Sequence, residues 1–242
     1  MIAVDIGNTT VNFGKFSQNK LLDFFLLQRE KVNKKRVVSV LSRFGKKEPV
    51  LICSVAPEIN SLFLNLNRET YLVGKNLSIP IKSQYAKGQA GSDRLLAAYS
   101  ARKINPVSRI IIDFGTAITV DFLSKKGIYQ GGIILPGINS TLKTFQRCSL
   151  LPKQVRIQKT TKIIPKTTLE SINKGLQEGF SQMLNGLIEK YKKELKLSSE
   201  EAILLTGGDF SPIKSRLNFS YQHEKHLVLR GLAYLYQEYF RF

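Results

Sequence analysis

Three short loops carry residue types suited to binding phosphate, and each follows an apolar run: Asp5-Ile-Gly-Asn-Thr9, Asp113-Phe-Gly-Thr-Ala117 and Thr206-Gly-Gly-Asp209. Glycine lets backbone N–H groups come close to phosphate oxygens, and Asn or Thr adds side-chain donors. An aspartate at a strand end can hold magnesium through water, because that ion prefers oxygen ligands and keeps part of its hydration shell. Any one of these loops could equally be a plain Asp-x-Gly turn. Three of them, each after a strand-like run, point to the crevice at strand ends where α/β folds bind ligands. A fourth stretch, Gly91-Ser-Asp-Arg94, puts an acid and a guanidinium at the start of a helical pattern. There Asp93 reads as a helix N-cap or as a general base, and Arg94 as a surface residue or as a grip on a carboxylate.

The elements that must position these groups follow from apolar spacing. Residues 2–5 form a short strand ahead of the first loop, and residues 11–16 and 21–27 read as strands joined by a polar turn at 17–20. Residues 31–44 carry Val37, Val40, Leu41 and Phe44 at helical spacing, while the continuous apolar run 50–55 predicts a buried parallel strand. A short helix over 57–67, a strand over 70–73 and a helix over 93–104 complete the first part. The opening theme then returns, with strands over 109–112, 118–123 and 129–134 around the Asp113 loop. A long helix is marked by Leu169, Ile172, Leu176, Phe180, Met183, Leu184, Leu187, Ile188, Tyr191 and Leu195, followed by a strand over 202–205 and a helix over 227–239. The repeated strand–loop–strand theme predicts a duplicated α/β core, with domains 1–107 and 108–242.

Composition narrows the function classes. The chain has 242 residues, 37 of them basic and 18 acidic, for a net charge of +19. The excess is spread over both parts. Its small clusters (Lys34-Lys35-Arg36, Lys46-Lys47, Lys125-Lys126, Lys192-Lys193) are not interleaved with aromatics as a nucleic-acid stacking platform would be. A general surface charge that draws anionic ligands is therefore the leading reading, and specific nucleic-acid binding the minority one. No apolar run approaches the roughly 18 residues of a membrane span, and Asp5 interrupts the chain before any signal-like stretch develops. Cys53 and Cys148 lie far apart in no metal-like pattern, as expected of a reduced cytoplasmic protein. His223 and His226 lack a third ligand and read as surface residues, and the aromatics at 24–25 and 234–239 read as packing.

In this order the three loops resemble the phosphate-1, phosphate-2 and adenosine motifs of the acetate and sugar kinase, heat-shock ATPase and actin superfamily. More narrowly, Asp5-x-Gly-Asn-Thr, Gly91-Ser-Asp-Arg94, Asp113-Phe-Gly-Thr-Ala117, Tyr129-x-Gly-Gly132 and Pro136-Gly137 resemble type III pantothenate kinase, and the similarity runs from Ile2 to residues 227–232. The resemblance implies an α/β, duplicated ribonuclease-H-like (actin-like ATPase) fold of two mixed-sheet domains with a cleft between them. It also implies ATP-dependent phosphorylation of pantothenate to 4′-phosphopantothenate, the first step of coenzyme A biosynthesis. Mg2+ with ATP, a monovalent cation (K+ or NH4+) and a homodimer with its active site at the subunit interface come with it, and no membrane partner.

Beside that resemblance, the residues take these expected roles. Asp5 is the magnesium-side carboxylate, and Gly7, Asn8, Thr9, Gly115 and Thr116 contact phosphates. Lys15 either neutralises phosphate charge or is an exposed strand lysine, the second being the simpler reading. Gly207 and Gly208 border adenine or ribose. Asp113 matches the family's monovalent-cation residue. Asp93 is the general base for the substrate's primary hydroxyl, and Arg94 the partner of the pantothenate carboxylate, with Gly91 and Ser92 beside them. Tyr85 is the candidate substrate tyrosine, although the segment 85–90 is one residue shorter than the family's and lacks its Asn-Pro. Thr168 matches a threonine supplied by the neighbouring subunit, in Pro165-Lys-Thr-Thr168 where the family often has Gly-Lys-Asn-Thr. The alternative functions are a non-catalytic relative acting as a transcription-linked accessory or nucleic-acid-binding protein, and a kinase with a changed acceptor.

Overall fold

Near-continuous burial of the first strand places it inside a sheet, with a hairpin along one side. In β1 (Ile2–Ile6) the residues Ile2, Ala3, Val4 and Ile6 are buried. β2 (Thr10–Ser17) runs antiparallel to it with Asn12 opposite Asp5, and β3 (Lys20–Gln28) pairs antiparallel with β2. The helix α1 (Lys34–Phe44) buries Val37, Val40, Leu41 and Phe44, the four residues whose spacing predicted it, and Asn33 caps it by accepting the Arg36 N–H. β4 (Val50–Ser54) is the predicted parallel neighbour of β1, and β5 (Thr70–Leu72) pairs parallel with β4. The helix expected over 57–67 is shorter. A 3-10 turn at Pro57–Ile59 leads into α2 (Ser61–Leu64), and the helix stops at Asn65. Asparagine side chains compete with helical hydrogen bonds, and Asn65 and Asn67 follow in close succession.

The remaining elements are α3 (Ser92–Ile104), β6 (Ser108–Phe114), β7 (Ala117–Leu123), β8 (Tyr129–Pro136), α4 (Ile138–Phe145), α5 (Thr168–Glu194), β9 (Ala202–Gly207), β10 (Gln222–His223) and α6 (Leu227–Phe240). The sequence reading gave no sign of α4, because Pro136-Gly137 and the Ser and Thr residues within it mask two buried anchors, Ile138 and Leu142, one turn apart. α5 buries Ile172, Leu176, Phe180, Leu184 and Ile188 at four-residue steps. Its neighbouring polar residues Asn173, Gln177, Ser181 and Asn185 are buried too. Asn185 is satisfied by the Arg216 carbonyl at 2.9 Å and the Asn218 N–H at 3.0 Å, so side-chain-to-backbone bonds dock this helix.

The two sheets have one plan. The first is ordered β3-β2-β1-β4-β5 and the second β10-β9-β6-β7-β8, which is the same order when β6 to β10 replace β1 to β5. This is the duplicated core that the repeated theme predicts, in the ribonuclease-H-like form that the family resemblance implies. The computed structural model describes residues 1–86, 88–145, 163–198, 200–208 and 210–240; Cys148 and Asp209 lie outside them. By compactness one unit comprises Met1–Pro106, Asp121–Gly131 and His226–Phe242, and the other Val107–Val120 and Gly132–Lys225. Among the described residues no helix is long and apolar enough to cross a membrane.

Candidate active site

In the first unit the site begins where β1 ends. The loop after Asp5 is closed by the Gly7 N–H donating to the Thr10 carbonyl at 2.9 Å. Arg29 fastens it from outside, with its backbone N–H on the Thr9 carbonyl at 2.9 Å and its Nη1 on the Asn8 carbonyl at 3.1 Å. The Arg29 guanidinium is itself paired with Glu58. Asp5 accepts a hydrogen bond from Asn12 Nδ2 at 3.1 Å. Burial nevertheless pushes its carboxyl up from an ordinary 3.8 to about 6, the Asn12 bond opposing and the charge of Asp93 adding to the rise.

The helix α3 brings Asp93 to this place. Its N-cap is Gly91, and its first residue, Ser92, sits at the end of β4: the hydroxyl donates to the Ser54 carbonyl at 3.4 Å and accepts from the buried Cys53 thiol at 3.5 Å. Cys53 stands beside Asp5 in the β1–β4 register, so the first turn of α3 lies next to the carboxylate of β1. α3 packs against α6, where a side-chain carbon at Gly231 would come 2.8 Å from Leu96. Asp93 is not the N-cap that its position allowed; it lies within the first turn and accepts the Arg94 N–H at 2.9 Å. Burial raises its pKa, opposed by that N–H and reinforced by the charge of Asp121. Two carboxylates from different elements are thus held close enough to feel each other, each with a raised affinity for a proton. Such a pair suits one acid next to a cation and one taking a proton.

Arg94 points into a buried network. Its Nε and Nη2 donate to one oxygen, Asp121 Oδ1, at 3.0 and 2.5 Å, and the Tyr129 hydroxyl donates to the same oxygen at 2.7 Å. The guanidinium carbon is 5.7 Å from the Tyr85 ring centre and 5.9 Å from that of Tyr129, and the two rings meet edge to face at 6.1 Å. Tyr85 and Arg94 are therefore together, despite the shortened segment that carries the tyrosine.

In the second unit β6 ends in Asp113, which pairs in register with Thr206 of β9, as Phe114 does with Gly207. Gly115 closes its loop by donating to the Ala117 carbonyl at 3.1 Å, and the Thr116 carbonyl accepts from the Gly137 N–H at 3.0 Å and the Ser140 hydroxyl at 2.6 Å. Gly137 admits no side chain: a Cβ there would lie 2.2 Å from the Gly115 carbonyl oxygen. Gly207 has φ +81° and a Cβ on it would lie 2.3 Å from the Phe114 carbonyl oxygen and 2.8 Å from Asp113 Oδ1. Gly208 is exposed and has open space around it. Asp113, Gly115, Thr116, Gly207 and Gly208 thus form one group of strand-end loops.

Lys15 is not brought to the first loop. It pairs in register with Ile2, at the end of β1 opposite the loop, and its ammonium is 3.4 Å from Glu48. Thr168 is the exposed first residue of α5, behind the N-cap Thr167. Three residues escaped the sequence reading: Asn12, Arg29 and Asp121, the last an acid inside an apolar run. Tyr129 was read there within the Tyr129-x-Gly-Gly132 motif, but without a partner.

The sequence pattern of the type III pantothenate kinase family matches residues 1–190. Among curated proteins, the chain is similar to the type III pantothenate kinase of Sulfurihydrogenibium sp., 31% identical over 261 residues that cover 97% of this chain and 98% of that one. It is 32% identical over 252 residues to the type III pantothenate kinase of Persephonella marina, covering 98% of each. Among solved structures it is similar to a Campylobacter jejuni protein described as a Baf family transcriptional activator, with a TM-score of 0.64 at 23% identity over 98% of each chain. The activator of the 2-hydroxyisocaproyl-CoA dehydratase from Clostridium difficile with bound ADPNP gives a TM-score of 0.54 at 12% identity, over 98% of this chain and 95% of that one. At these identities the two structures show a shared fold alone.

Proposed function

The chain belongs to the type III pantothenate kinase family, and we propose that in its reaction Asp93 is the general base. The reaction is the ATP-dependent phosphorylation of pantothenate to 4′-phosphopantothenate, the first step of coenzyme A biosynthesis. Phosphoryl transfer asks a protein mainly to position two reactants and to balance charge. Asp93 accepts the proton of the pantothenate primary hydroxyl as that oxygen attacks the γ-phosphorus. Its raised pKa brings it nearer to the proton affinity that suits this work. Tyr85, Gly91, Ser92 and Arg94 take the rest of the acceptor, with Arg94 toward its carboxylate. Gly7, Asn8 and Thr9 serve the phosphates of ATP, as do Gly115 and Thr116, while Gly207 and Gly208 border its adenosine.

The residues present fit a divalent cation at Asp5. Its carboxylate is desolvated and has an amide as its hydrogen-bond donor, so a nearby cation would favour its ionised form. Among the described residues no group of three His, Cys, Asp or Glu side chains could cage a metal. A magnesium ion carried by ATP phosphates needs only one or two carboxylates. It would supply charge neutralisation on those phosphates. Asp113 and the Phe114 carbonyl, crowded together at Gly207, offer the hard oxygen ligands that a monovalent cation such as K+ or NH4+ uses. We extend the proposal to a cytoplasmic homodimer in which Thr168 of one copy serves the substrate of the other.

The observation that carries this reading is the meeting of Asp5 and Asp93, from strand and helix, in one desolvated patch. The net charge of +19 is what favours a nucleic-acid-binding relative instead. Incubation with ATP, Mg2+, K+ and pantothenate, with mass detection of 4′-phosphopantothenate, tests the activity. Asp93→Asn is expected to lower turnover by about 10²–10⁴-fold with a melting temperature no lower than that of the wild type. Near-normal turnover in that variant would remove Asp93 from its role. Absence of product together with a steeply salt-dependent affinity for DNA would revive the binding protein.

A further inference from the structure

Asp121 is a carboxylate buried in an apolar strand, 1% exposed, and Arg94 is 8% exposed. Replacing a buried ion pair by apolar groups of similar volume is often neutral or stabilising, so stability alone is a poor reason for placing a carboxylate in β7. The geometry gives a better one. Asp121 Oδ1 accepts from Arg94 Nε and Nη2, and the Tyr129 hydroxyl closes on the same oxygen from β8. Burial pushes the Tyr129 hydroxyl up, which keeps it protonated and donating. The rings of Tyr129 and Tyr85 flank the guanidinium at 5.9 and 5.7 Å. An arginine side chain left free would lose rotamer entropy on gripping a substrate. Here the rotamer is fixed before any substrate arrives.

We propose that Asp121, seconded by Tyr129, is a positioning residue that holds Arg94 ready for the acceptor carboxylate. This rests on the assignment of Arg94 to that carboxylate. The pair also sets the local charge: Asp121 balances Arg94, so the acceptor meets an aimed hydrogen-bond donor rather than an isolated cation. Specificity then comes from direction, which a misaligned guanidinium loses even though its charge persists.

Steady-state kinetics on Asp121→Asn, Arg94→Ala and the double variant test this. Asp121→Asn is expected to raise the pantothenate KM about 10-fold while kcat and the ATP KM stay within about 3-fold. Arg94→Ala is expected to raise the same KM at least as much, and the double variant to be no worse than Arg94→Ala, because Asp121 acts through Arg94. An unchanged KM in Arg94→Ala would overturn the role of Arg94 and the proposal with it. A raised KM there but a wild-type KM in Asp121→Asn would overturn the positioning role and leave the role of Arg94 standing. Additive losses in the double variant, or an ATP KM that rises in parallel, would also overturn it. Should Asp121→Asn fail to fold, Tyr129→Phe decides. It keeps the ring, removes one bond to the same oxygen, and is expected to raise the pantothenate KM about 2–5-fold; no rise would overturn the proposal.

Discussion

The two sheets are copies in topology that solve different problems at the same place. β1 and β6 each end in Asp-x-Gly, and each loop is closed by that glycine's N–H, Gly7 onto Thr10 and Gly115 onto Ala117. The first loop is longer by one residue, Asn8 or Thr9, and is fastened by Arg29; the second is tied to Gly137 and Ser140. Around the first loop the structure gathers charge: Asp5 and Asp93 are both buried with raised proton affinity, and Arg94, next to Asp93 on α3, is locked onto Asp121 of β7, a strand of the second sheet. Around the second it gathers backbone, with carbonyls so near Gly137 and Gly207 that a methyl group would not fit. On the proposed roles the two loops divide the work: the first is surrounded chiefly by groups whose protonation and charge matter, and the second chiefly by backbone whose closeness matters.

If that division is right, substitutions in the two copies fail in different ways. The largest effect is expected from Asp5→Asn, which should lower turnover by about 10²–10³-fold by removing charge from the phosphate side. The same variant should be more stable at pH 7.5. The unfolded carboxyl titrates near 3.8 and the folded one near 6, so over that interval the folded chain keeps a proton that the unfolded chain has lost. The ionised group therefore costs stability above pH 6, by roughly 3 kcal/mol at most, and nothing below pH 3.8. Thermal melts across pH check this. A variant that melts lower than the wild type at pH 7.5 would show that Asp5 stabilises the fold, contrary to the comparison.

Next comes the backbone-built copy. Gly207→Ala forces a side chain into φ +81° and against the Phe114 carbonyl, and should cost about 2–3 kcal/mol and raise the ATP KM about tenfold, with little change in the pantothenate KM. Gly208→Ala, with open space around it, should change stability by less than about 0.5 kcal/mol. Equal losses in the two variants, followed by chemical denaturation and ATP-dependent kinetics, would break the argument from closeness.

What the sequence made legible follows the same line. Periodicity placed α1, α3, α5 and α6 and the strands around both loops, because burial on one face imposes spacing that any reader can count. Strand-end loops with glycine were legible for the same local reason. The partners that give the site its chemistry were not. Arg94 and Asp121 are 27 residues apart, and the buried pair Arg109 and Glu201 is 92 apart. No spacing rule joins such residues, since only tertiary packing brings them together. Arg29 was equally silent, as its hold on the first loop depends on the β3 turn that follows the hairpin. For Lys15 the sequence left two readings, a phosphate partner or a plain strand lysine; the antiparallel strand carries it away from the loop and to the side of Glu48.

The acid limb of the pH profile sharpens the comparison further. On the proposed roles, Asp5, at about 6, and Asp93, also raised, must both be ionised for cation and proton to be received. The kcat/KM for pantothenate at low ATP should therefore rise through pH 6 and fall about fivefold or more from pH 6 to pH 5. Measured with both substrates well below saturation, a flat profile from pH 5 to 7 would mean that the groups around the first loop are not the titrating ones.

A small effect is also expected from Lys15→Ala. Lys15 faces Glu48 at 3.4 Å, and both side chains are about one-third exposed, so solvent screens the pair and its loss should cost at most about 1 kcal/mol. Its strand position, opposite Ile2 and three residues beyond Asn12, sets it some 10 Å along β2 from the pairing with Asp5. A lysine side chain spans less than that, and this one is already turned to a carboxylate. The ATP KM should accordingly stay within about twofold of wild type. A tenfold rise would mean that the ammonium leaves Glu48 for a phosphate when ATP binds, and the first copy's charge would then reach farther along the sheet than Asp5 and Asp93 alone account for.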